Sequence, residues 1–172
     1  MTPAGPAAEP IPTARLLLEP LAARHAAPMV EVLAAPRLYR FTGGRPPTLP
    51  ELTERYERLM AGPGRRGEGW LNWVIRQRED QQLTGTVQAT ITSEPAGLRA
   101  AIAWVVGAPW QGHGYATESA QALVHWLREH EVMTIVAAIH PDHAASAAVA
   151  SRAGMTPTAE RADGEIIWRL GG

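Results

Sequence analysis

Two glycines stand where an apolar stretch gives way to an amphipathic helix. Residues 102–106 form the apolar stretch, and the hexapeptide QGHGYA follows at residues 111–116. Glycines at positions 112 and 114 allow a positive φ, which brings bare backbone N–H groups together. The helix start adds unpaired N–H donors and a partial positive charge. This stretch therefore has the chemistry to bind a phosphate or a pyrophosphate.

Spacing excludes two of the better-known phosphate loops. The chain contains no GxxxxGK[ST] sequence, so it has no P-loop lysine. It also lacks a third glycine at the Rossmann spacing and an acidic residue about 20 positions later. Taken alone, the two glycines remain compatible with an ordinary turn between a strand and a helix.

A second polar motif follows downstream and changes the interpretation of the first. It reads HPDHAAS at residues 140–146, followed by Val149 and by RAGM at residues 152–155. Together with Q-x-x-G-x-A at residues 111–116, it resembles the Q/R-x-x-G-x-G/A and HPxNxxSxxVxxRxGF signatures of the GNAT superfamily of N-acetyltransferases. The resemblance in element order extends over roughly residues 11–170.

The fold implied by this resemblance is α/β, with a mixed, largely antiparallel, seven-stranded sheet and about four helices. The sheet is expected to splay between the strand before the phosphate loop and the following parallel strand. Apolar spacing predicts helices over residues 21–35, 49–60 and 144–153, the last with Asp142 as its N-cap. We expect one acetyltransferase domain over residues 13–172. Residues 1–12, rich in Pro and Ala, are expected to be disordered or loosely attached.

The family resemblance implies acetyl-CoA as the cosubstrate. Its pyrophosphate would lie on the N–H groups of residues 111–116, and its pantetheine would pair with residues 104–106 like an added strand. The residues expected to contact it are Trp104, Val105, Val106, Gln111, Gly112, His113, Gly114, Tyr115, Ala116, Thr117, His143 and Ser146.

Ser146 and His143 are the candidate catalytic residues. Ser146 matches the family's serine, whose hydroxyl is expected to act as general acid toward the departing thiolate; the alternative is a small residue that lets a helix pack closely. His143 stands at the family's asparagine, so it either keeps a pantetheine contact, has a proton role, or is a surface residue. Relatives often carry a glutamate base near Ala101, which leaves water, Glu118 or a histidine as alternatives.

The implied reaction is direct transfer of an acetyl group to a primary amine in a ternary complex. The acceptor would be a small molecule or a protein N-terminus, because the motifs are similar to the branch that acetylates ribosomal proteins, small amines and antibiotics. The residues expected to line its site are Tyr39, Arg40, Phe41, Trp73 and Gln88. The alternatives are a non-catalytic acyl-CoA-binding module and an acyltransferase that uses another donor.

Composition narrows the remaining function classes. The 172 residues include no cysteine and carry a formal net charge of −1, with no block of like charge. Cysteine metal sites are therefore excluded, no metal is expected, and direct nucleic-acid binding is disfavoured. No apolar run is long enough to span a bilayer and the N-terminus does not read as a signal peptide. We expect a cytoplasmic monomer or homodimer.

Overall fold

An eight-stranded sheet runs through the computed structural model, which describes residues 3–172. The strand order is β1-β2-β3-β4-β5-β6-β8-β7, and every neighbouring pair is antiparallel except β5 with β6. The strands are β1 Ile11–Pro12, β2 Leu16–Pro20, β3 Glu68–Gln77, β4 Leu83–Glu94, β5 Gly97–Val106, β6 Val132–Ile139, β7 Thr156–Ala162 and β8 Glu165–Leu170.

Within residues 3–172, four α-helices and three short 3-10 turns connect the strands. The helices are α1 Ala26–Val32, α2 Leu49–Ala61, α3 Tyr115–Glu129 and α4 Ala144–Arg152, and the 3-10 turns are Ala23–His25, Pro36–Tyr39 and Ala108–Trp110. The helix predicted over residues 21–35 is shorter in the structure. Pro28 has no N–H to donate, so it is tolerated only in the first turn of α1. The preceding residues form a 3-10 turn in which Nδ1 of His25 accepts the Ala22 N–H at 2.9 Å.

Side chains alternate across the sheet and build a core on each face. In β3, Trp73 and Ile75 belong to the core beneath α3, whereas Val74 belongs to the core beneath α1 and α2. Trp73 meets Trp126 of α3 edge-on, with ring centroids 5.4 Å apart. The face beneath α1 and α2 also carries a cavity.

The parallel pair β5–β6 opens along its length. Pairing runs from Leu98 opposite Val132 to Ala101 opposite Val136 and then stops, although β5 continues to Val106. The predicted splay is therefore confirmed, and the β6-facing edge of β5 beyond Ala101 pairs with no strand of the described residues. The sheet has eight strands instead of the predicted seven, because Ile11–Pro12 adds a short strand at the edge.

The N-terminal segment differs from the expectation of disorder or loose attachment. Ala4 is 6% exposed and donates its N–H to Glu68 O at 3.3 Å, and Ile11 pairs with Leu18. Trp73 donates its Nε1–H to Glu9 O at 2.7 Å. Backbone groups make these contacts, so the Pro- and Ala-rich composition did not reveal them. The part of this expectation that concerns residues 1 and 2 lies outside the described residues.

Two further findings concern the described residues. No helix within residues 3–172 is long and apolar enough to cross a membrane. The same residues contain no group of three or more His, Asp or Glu side chains that could hold a metal ion.

Candidate active site

The phosphate loop, residues 111–117, joins β5 to α3 and leaves the N–H groups of residues 112–117 free. Gly112 and Gly114 both have φ near 80°, and Gly114 is the left-handed N-cap of α3. Within residues 3–172, no backbone N–H of residues 112–117 donates to a protein acceptor. The Gln111 side chain donates to Val106 O at 2.9 Å and so ties the loop back to β5. The loop thus offers a row of unpaired donors at a helix N-terminus, which suits an anion.

The connection between β1 and β2 holds the phosphate loop in place. Arg15 donates Nε–H to Glu118 Oε1 and Nη1–H to His113 O, both at 2.8 Å. Thr13 donates its hydroxyl to Glu118 Oε2 at 2.6 Å, and the Arg15 guanidinium lies 4.7 Å from the Tyr115 ring centroid. Sequence reasoning missed Thr13 and Arg15, because nothing in the local pattern links them to a loop about a hundred residues away.

These contacts give Glu118 a positioning role. Burial raises the pKa of its carboxyl, but hydrogen bonds from Thr13 and Arg15 outweigh burial and the net pKa is lowered. Both carboxylate oxygens already accept hydrogen bonds from those two residues. A carboxylate with a lowered pKa and engaged oxygens is a poor general base, which removes Glu118 from the three alternatives for the missing base.

The start of α4 brings His143 and Ser146 together. Ser146 Oγ lies 3.3 Å from His143 Nε2, one turn apart on the same helix. Asp142, the predicted N-cap, is exposed and does not cap: His143 is the N-cap residue, without a side-chain capping bond. The prediction was wrong: the N-cap position lies one residue later than expected, and Asp142 belongs to the preceding turn, where its N–H donates to the His140 ring at 3.0 Å.

The segment between α1 and α2 covers this helix start. Phe41 stacks on His143, with ring centroids 4.5 Å apart and planes 17° from parallel, and it also contacts His140 at 5.1 Å. Burial lowers the pKa of His143, and the charge of His140 lowers it further. The His143 ring is therefore neutral at neutral pH, so its Nε2 can either donate to Ser146 or accept from it, according to the tautomer.

A cavity of about 190 Å³ lies between α1–α2 and strands β3–β5. We call it the acceptor cavity. Val105, which lies beyond the last β5–β6 pair, forms part of its wall, so the cavity reaches the splayed region of the sheet. Its lining residues are Leu21, Leu33, Leu38, Tyr39, Thr42, Arg55, Tyr56, Leu59, Asn72, Trp73, Thr86, Gln88 and Val105.

A family comparison decides the identity of this arrangement. The acetyltransferase (GNAT) domain family matches residues 15–156, most of the chain. The chain belongs to the GNAT acetyltransferase family. The match covers both the phosphate loop and the His143–Ser146 turn, so the two resembling motifs lie inside one domain of that family. No curated protein matches the chain.

Solved structures show the same GNAT fold. An acetyltransferase from Agrobacterium tumefaciens is 28% identical with a TM-score of 0.72, over 100% of this chain and 99% of that one. RimL, a ribosomal L7/L12 α-N-protein acetyltransferase in complex with coenzyme A, is 22% identical with a TM-score of 0.77, over 95% and 98%. MccE, a microcin C7 self-immunity acetyltransferase in complex with acetyl-CoA and AMP, is 18% identical with a TM-score of 0.75, over 93% and 94%.

The residues expected to contact the GNAT cosubstrate lie on β5, on the phosphate loop and at the start of α4. Trp104 packs against the core beneath α3, Val105 faces the acceptor cavity, and Val106 is buried with its carbonyl bonded to Gln111. The phosphate loop follows directly, and its His113 ring stacks on Tyr115 with centroids 5.7 Å apart. The remaining members, Ala116 and Thr117, occupy the first turn of α3, and His143 and Ser146 lie at the start of α4.

The residues expected to line the acceptor site divide into two groups. Tyr39 and Gln88 line the acceptor cavity, whereas Phe41 lies against His143 and Arg40 stacks over Phe41 at 5.1 Å. Trp73 borders the cavity, but its side chain is fully buried, packs on Trp126 and donates to Glu9 O. We therefore assign its indole to the core.

Five polar residues that line the acceptor cavity were missed from the sequence: Thr42, Arg55, Tyr56, Asn72 and Thr86. Asn72 pairs with Gln88 in the sheet register, and Gln88 pairs with Ala103. Asn72, Gln88 and Ala103 therefore lie in a row across three strands, on one face of the sheet. The period-2 alternation of β3 places Asn72 on the face opposite Trp73, and that signal was present in the sequence. Arg55 and Tyr56 sit on α2, whose position over the sheet no local pattern specifies.

A second cavity of about 270 Å³ continues the same face away from the phosphate loop. Asn72, Gln88 and Leu59 line both cavities, so the two are neighbours along the sheet. The second contains Glu68, whose Oε1 accepts the Trp70 Nε1–H at 2.9 Å. This carboxylate is the only acidic side chain found lining either cavity within residues 3–172.

Proposed function

We propose that this chain is an acetyl-CoA-dependent N-acetyltransferase that moves an acetyl group directly to a primary amine. The observation that carries the proposal is the position of the phosphate loop. Its unpaired N–H groups lie immediately after the part of β5 that has separated from β6. With a pyrophosphate held there, the pantetheine arm would follow the open strand edge, and the acceptor cavity reaches the same part of β5 at Val105.

Two features of the chain support binding of this donor. A side chain at Gly112 would meet no atom within 4 Å, so this side of the loop is open to a ligand. The β5 edge beyond Ala101 has backbone groups available for strand-like pairing with the pantetheine amides. Residues 104–106 and 111–117 would hold the donor, with His143 and Ser146 near its reactive end.

Acetyl-CoA supplies an already activated thioester, so the protein needs to orient the reactants and manage two protons. We assign Ser146 to the sulfur side. In the tautomer that carries the proton on His143 Nε2, this ring donates to Ser146 Oγ. The Ser146 hydroxyl proton then remains free to donate to the departing thiolate. Phe41, stacked on His143, would fix the ring orientation and exclude water from that contact.

The proton lost by the acceptor amine needs a different route. Ala101 has no ionisable group, Glu118 is engaged, and among the described residues no carboxylate lines the acceptor cavity. We propose that water carries this proton away, with neutral His143 as the second possibility. The rate should then follow the free-base fraction of the amine and rise with pH until that amine is largely deprotonated.

Coenzyme A release measured with acetyl-CoA and a panel of primary amines tests the proposal. We expect amine-dependent thiol release and an N-acetylated product of matching mass. A separate titration of coenzyme A by calorimetry tests the donor site alone. Binding without transfer to any amine would identify a non-catalytic acyl-CoA-binding module, and competition by longer acyl-CoA thioesters would identify a different donor. Absence of binding would overturn the proposed function altogether.

A further inference from the structure

The acceptor cavity contains a buried hydroxyl without a partner. Tyr56 lines the cavity and is 3% exposed, yet its Oη finds no hydrogen-bond partner within residues 3–172. The hydroxyl of the neighbouring Tyr39, in contrast, has a partner, because it donates to Leu33 O at 2.8 Å. A buried polar group that is left unpaired costs stability, so it calls for an explanation. A ligand group that enters the cavity would provide the missing partner.

The hydroxyl of Tyr56 is suited to donate a hydrogen bond while keeping its proton. Burial raises its pKa to about 12, even though the charge of Arg55 acts to lower it. It therefore stays protonated at any pH at which the protein works. A protonated phenol in an apolar wall pairs well with an oxygen acceptor, and best with an anionic one.

The cavity also contains an unpaired cation. Arg55 is exposed, lines the cavity beside Tyr56, and makes no salt bridge within 4.0 Å in the described part of the chain. The next arginine on α2, Arg58, is different: its Nη1 lies 3.1 Å from Glu54 Oε1. Arg55 therefore has a guanidinium available for a ligand, on the same wall as the unpaired phenol.

The remaining polar lining is neutral. Thr42, Thr86, Asn72 and Gln88 accompany Arg55 and the two tyrosines, and leucines and Val105 form the apolar remainder. One positive charge without a matching carboxylate favours an anion over a second cation. The volume of about 190 Å³ lies below the usual range of ligand pockets and suits a small group.

We propose that the acceptor is a small amine that also carries a carboxylate, which is held in the acceptor cavity by Arg55 and by a hydrogen bond from Tyr56. The inference rests on the proposed function, and it names the substrate class of that same site. The amine would point toward the splayed β5 edge, where Val105 forms the wall. The carboxylate would lie toward α2. No bond is made or broken at Arg55 or Tyr56, which position the acceptor.

Matched acceptors test the charge requirement. A panel of L-amino acids is compared with the corresponding L-amino acid carboxamides by coenzyme A release. The carboxamides have the less basic amine and so the larger free-base fraction at neutral pH. We nevertheless expect a higher kcat/KM for the acids, by about tenfold or more. Equal or faster acetylation of the carboxamides would overturn the inference and leave the proposed function intact.

Two variants on α2 test the assignment to Arg55. Arg55→Gln should reduce kcat/KM for the acids by about tenfold or more while leaving the carboxamides nearly unchanged. Arg58→Gln, one turn away and paired with Glu54, is the control and should affect neither series. Equal losses for acids and carboxamides in Arg55→Gln would contradict carboxylate binding. Acetylation of peptide N-termini alone, insensitive to Arg55→Gln, would do the same.

Tyr56→Phe separates a binding role from a structural one. Because the hydroxyl has no protein partner, its removal should leave the thermal midpoint unchanged or raise it, while kcat/KM for the acids falls severalfold. A lower midpoint with unchanged kcat/KM would show a structural hydroxyl and contradict the proposal.

A binding measurement separates failure of this inference from failure of the proposed function. N-acetyl-L-amino acids and their carboxamides are titrated into the protein loaded with coenzyme A. Preference for the acids, lost in Arg55→Gln, would support the site even if no amine were acetylated, in which case the proposed transfer alone fails. Equal affinity for both would overturn the carboxylate site.

Discussion

The donor side and the acceptor side of this site are built in opposite ways. The proposed donor side is a contiguous run of backbone, residues 104–117, in which free N–H groups and two glycines would bind the cosubstrate. The acceptor cavity is assembled mainly from side chains of the α1–α2 connection, of α2 and of three strands, which are brought together by the fold. A site built from backbone groups depends on residue types in one short stretch. A site built from side chains depends on residue types at positions that are far apart in the sequence.

The contrast is not complete, because a distant side chain also supports the donor side. Arg15 and Glu118 are 103 residues apart in sequence and join the β1–β2 connection to α3. The Arg15–Glu118 contact does not affect which residues form the loop motif, so the motif can still be recognised in the sequence. It does make the loop's geometry depend on the N-terminal part of the sheet.

The largest expected effect is at Gly114, on the donor side. Gly114→Val places a branched side chain at φ of +80°, where its Cβ would lie 3.3 Å from Arg15 Nη2 and crowd the anion site. We expect coenzyme A affinity to fall by about a hundredfold or more, as measured by calorimetry. The matched control is Gly164→Val in the β7–β8 turn, with φ of +81° and open space around it. Equal loss of affinity in both variants would mean that strain, and not the anion site, is responsible.

The next effect concerns Ser146, to which we assign the proton donated to the departing thiolate. Ser146→Ala should lower kcat about ten- to a hundredfold with little change in the KM for acetyl-CoA, because the lost interaction belongs to the departing thiolate. Ser151→Ala, on the exposed side of the same helix, should leave kcat unchanged. Steady-state kinetics with a saturating amine measure both. An unchanged kcat in Ser146→Ala would show that Ser146 serves only in helix packing.

A smaller effect is expected from breaking the support of the donor side. Arg15→Ala removes the hydrogen bonds to His113 O and Glu118, so the phosphate loop loses its anchor. We expect coenzyme A affinity to fall about three- to tenfold, with the KM for the acceptor amine unchanged. Arg24→Ala, which removes an exposed ion pair with Glu19, serves as the control. A matching rise in acceptor KM would show that the two sides are coupled.

The smallest effect is a pH dependence at Glu118. Its pKa is lowered in the folded protein from an ordinary value of 4.5, so its stabilisation is present above that value and is lost as the pH falls toward the folded pKa. We expect the wild type to exceed Glu118→Gln by about 1–3 kcal/mol in the free energy of unfolding at pH 7. Urea unfolding between pH 7 and pH 3 should show the difference constant at first and shrinking below about pH 4.5. A difference that stays constant to pH 3 would contradict the linkage.

The fold and the proposed donor side could be predicted from local sequence patterns. Strand alternation, the glycine-bearing loop and the HPDHAAS turn each lie within a few consecutive residues, and each combination requires particular backbone conformations. The same reasoning failed where a long-range contact decided the outcome. Residues 4–12 pack on the sheet through backbone hydrogen bonds, so the predicted loose segment is not found. The N-cap prediction failed locally, because His143 occupies the N-cap position of α4 in place of Asp142.

The sequence by itself determined the family, the splayed sheet and the position of the glycine-bearing loop, because these depend on residue types at fixed short spacings. The tertiary structure alone decided that Arg15 anchors the loop, that Phe41 covers His143, and that Arg55 and Tyr56 face one cavity. The physical reason is distance along the chain. A spacing motif records which conformations neighbouring residues adopt, whereas a cavity depends on how separate helices pack over a sheet, and no short stretch encodes that packing.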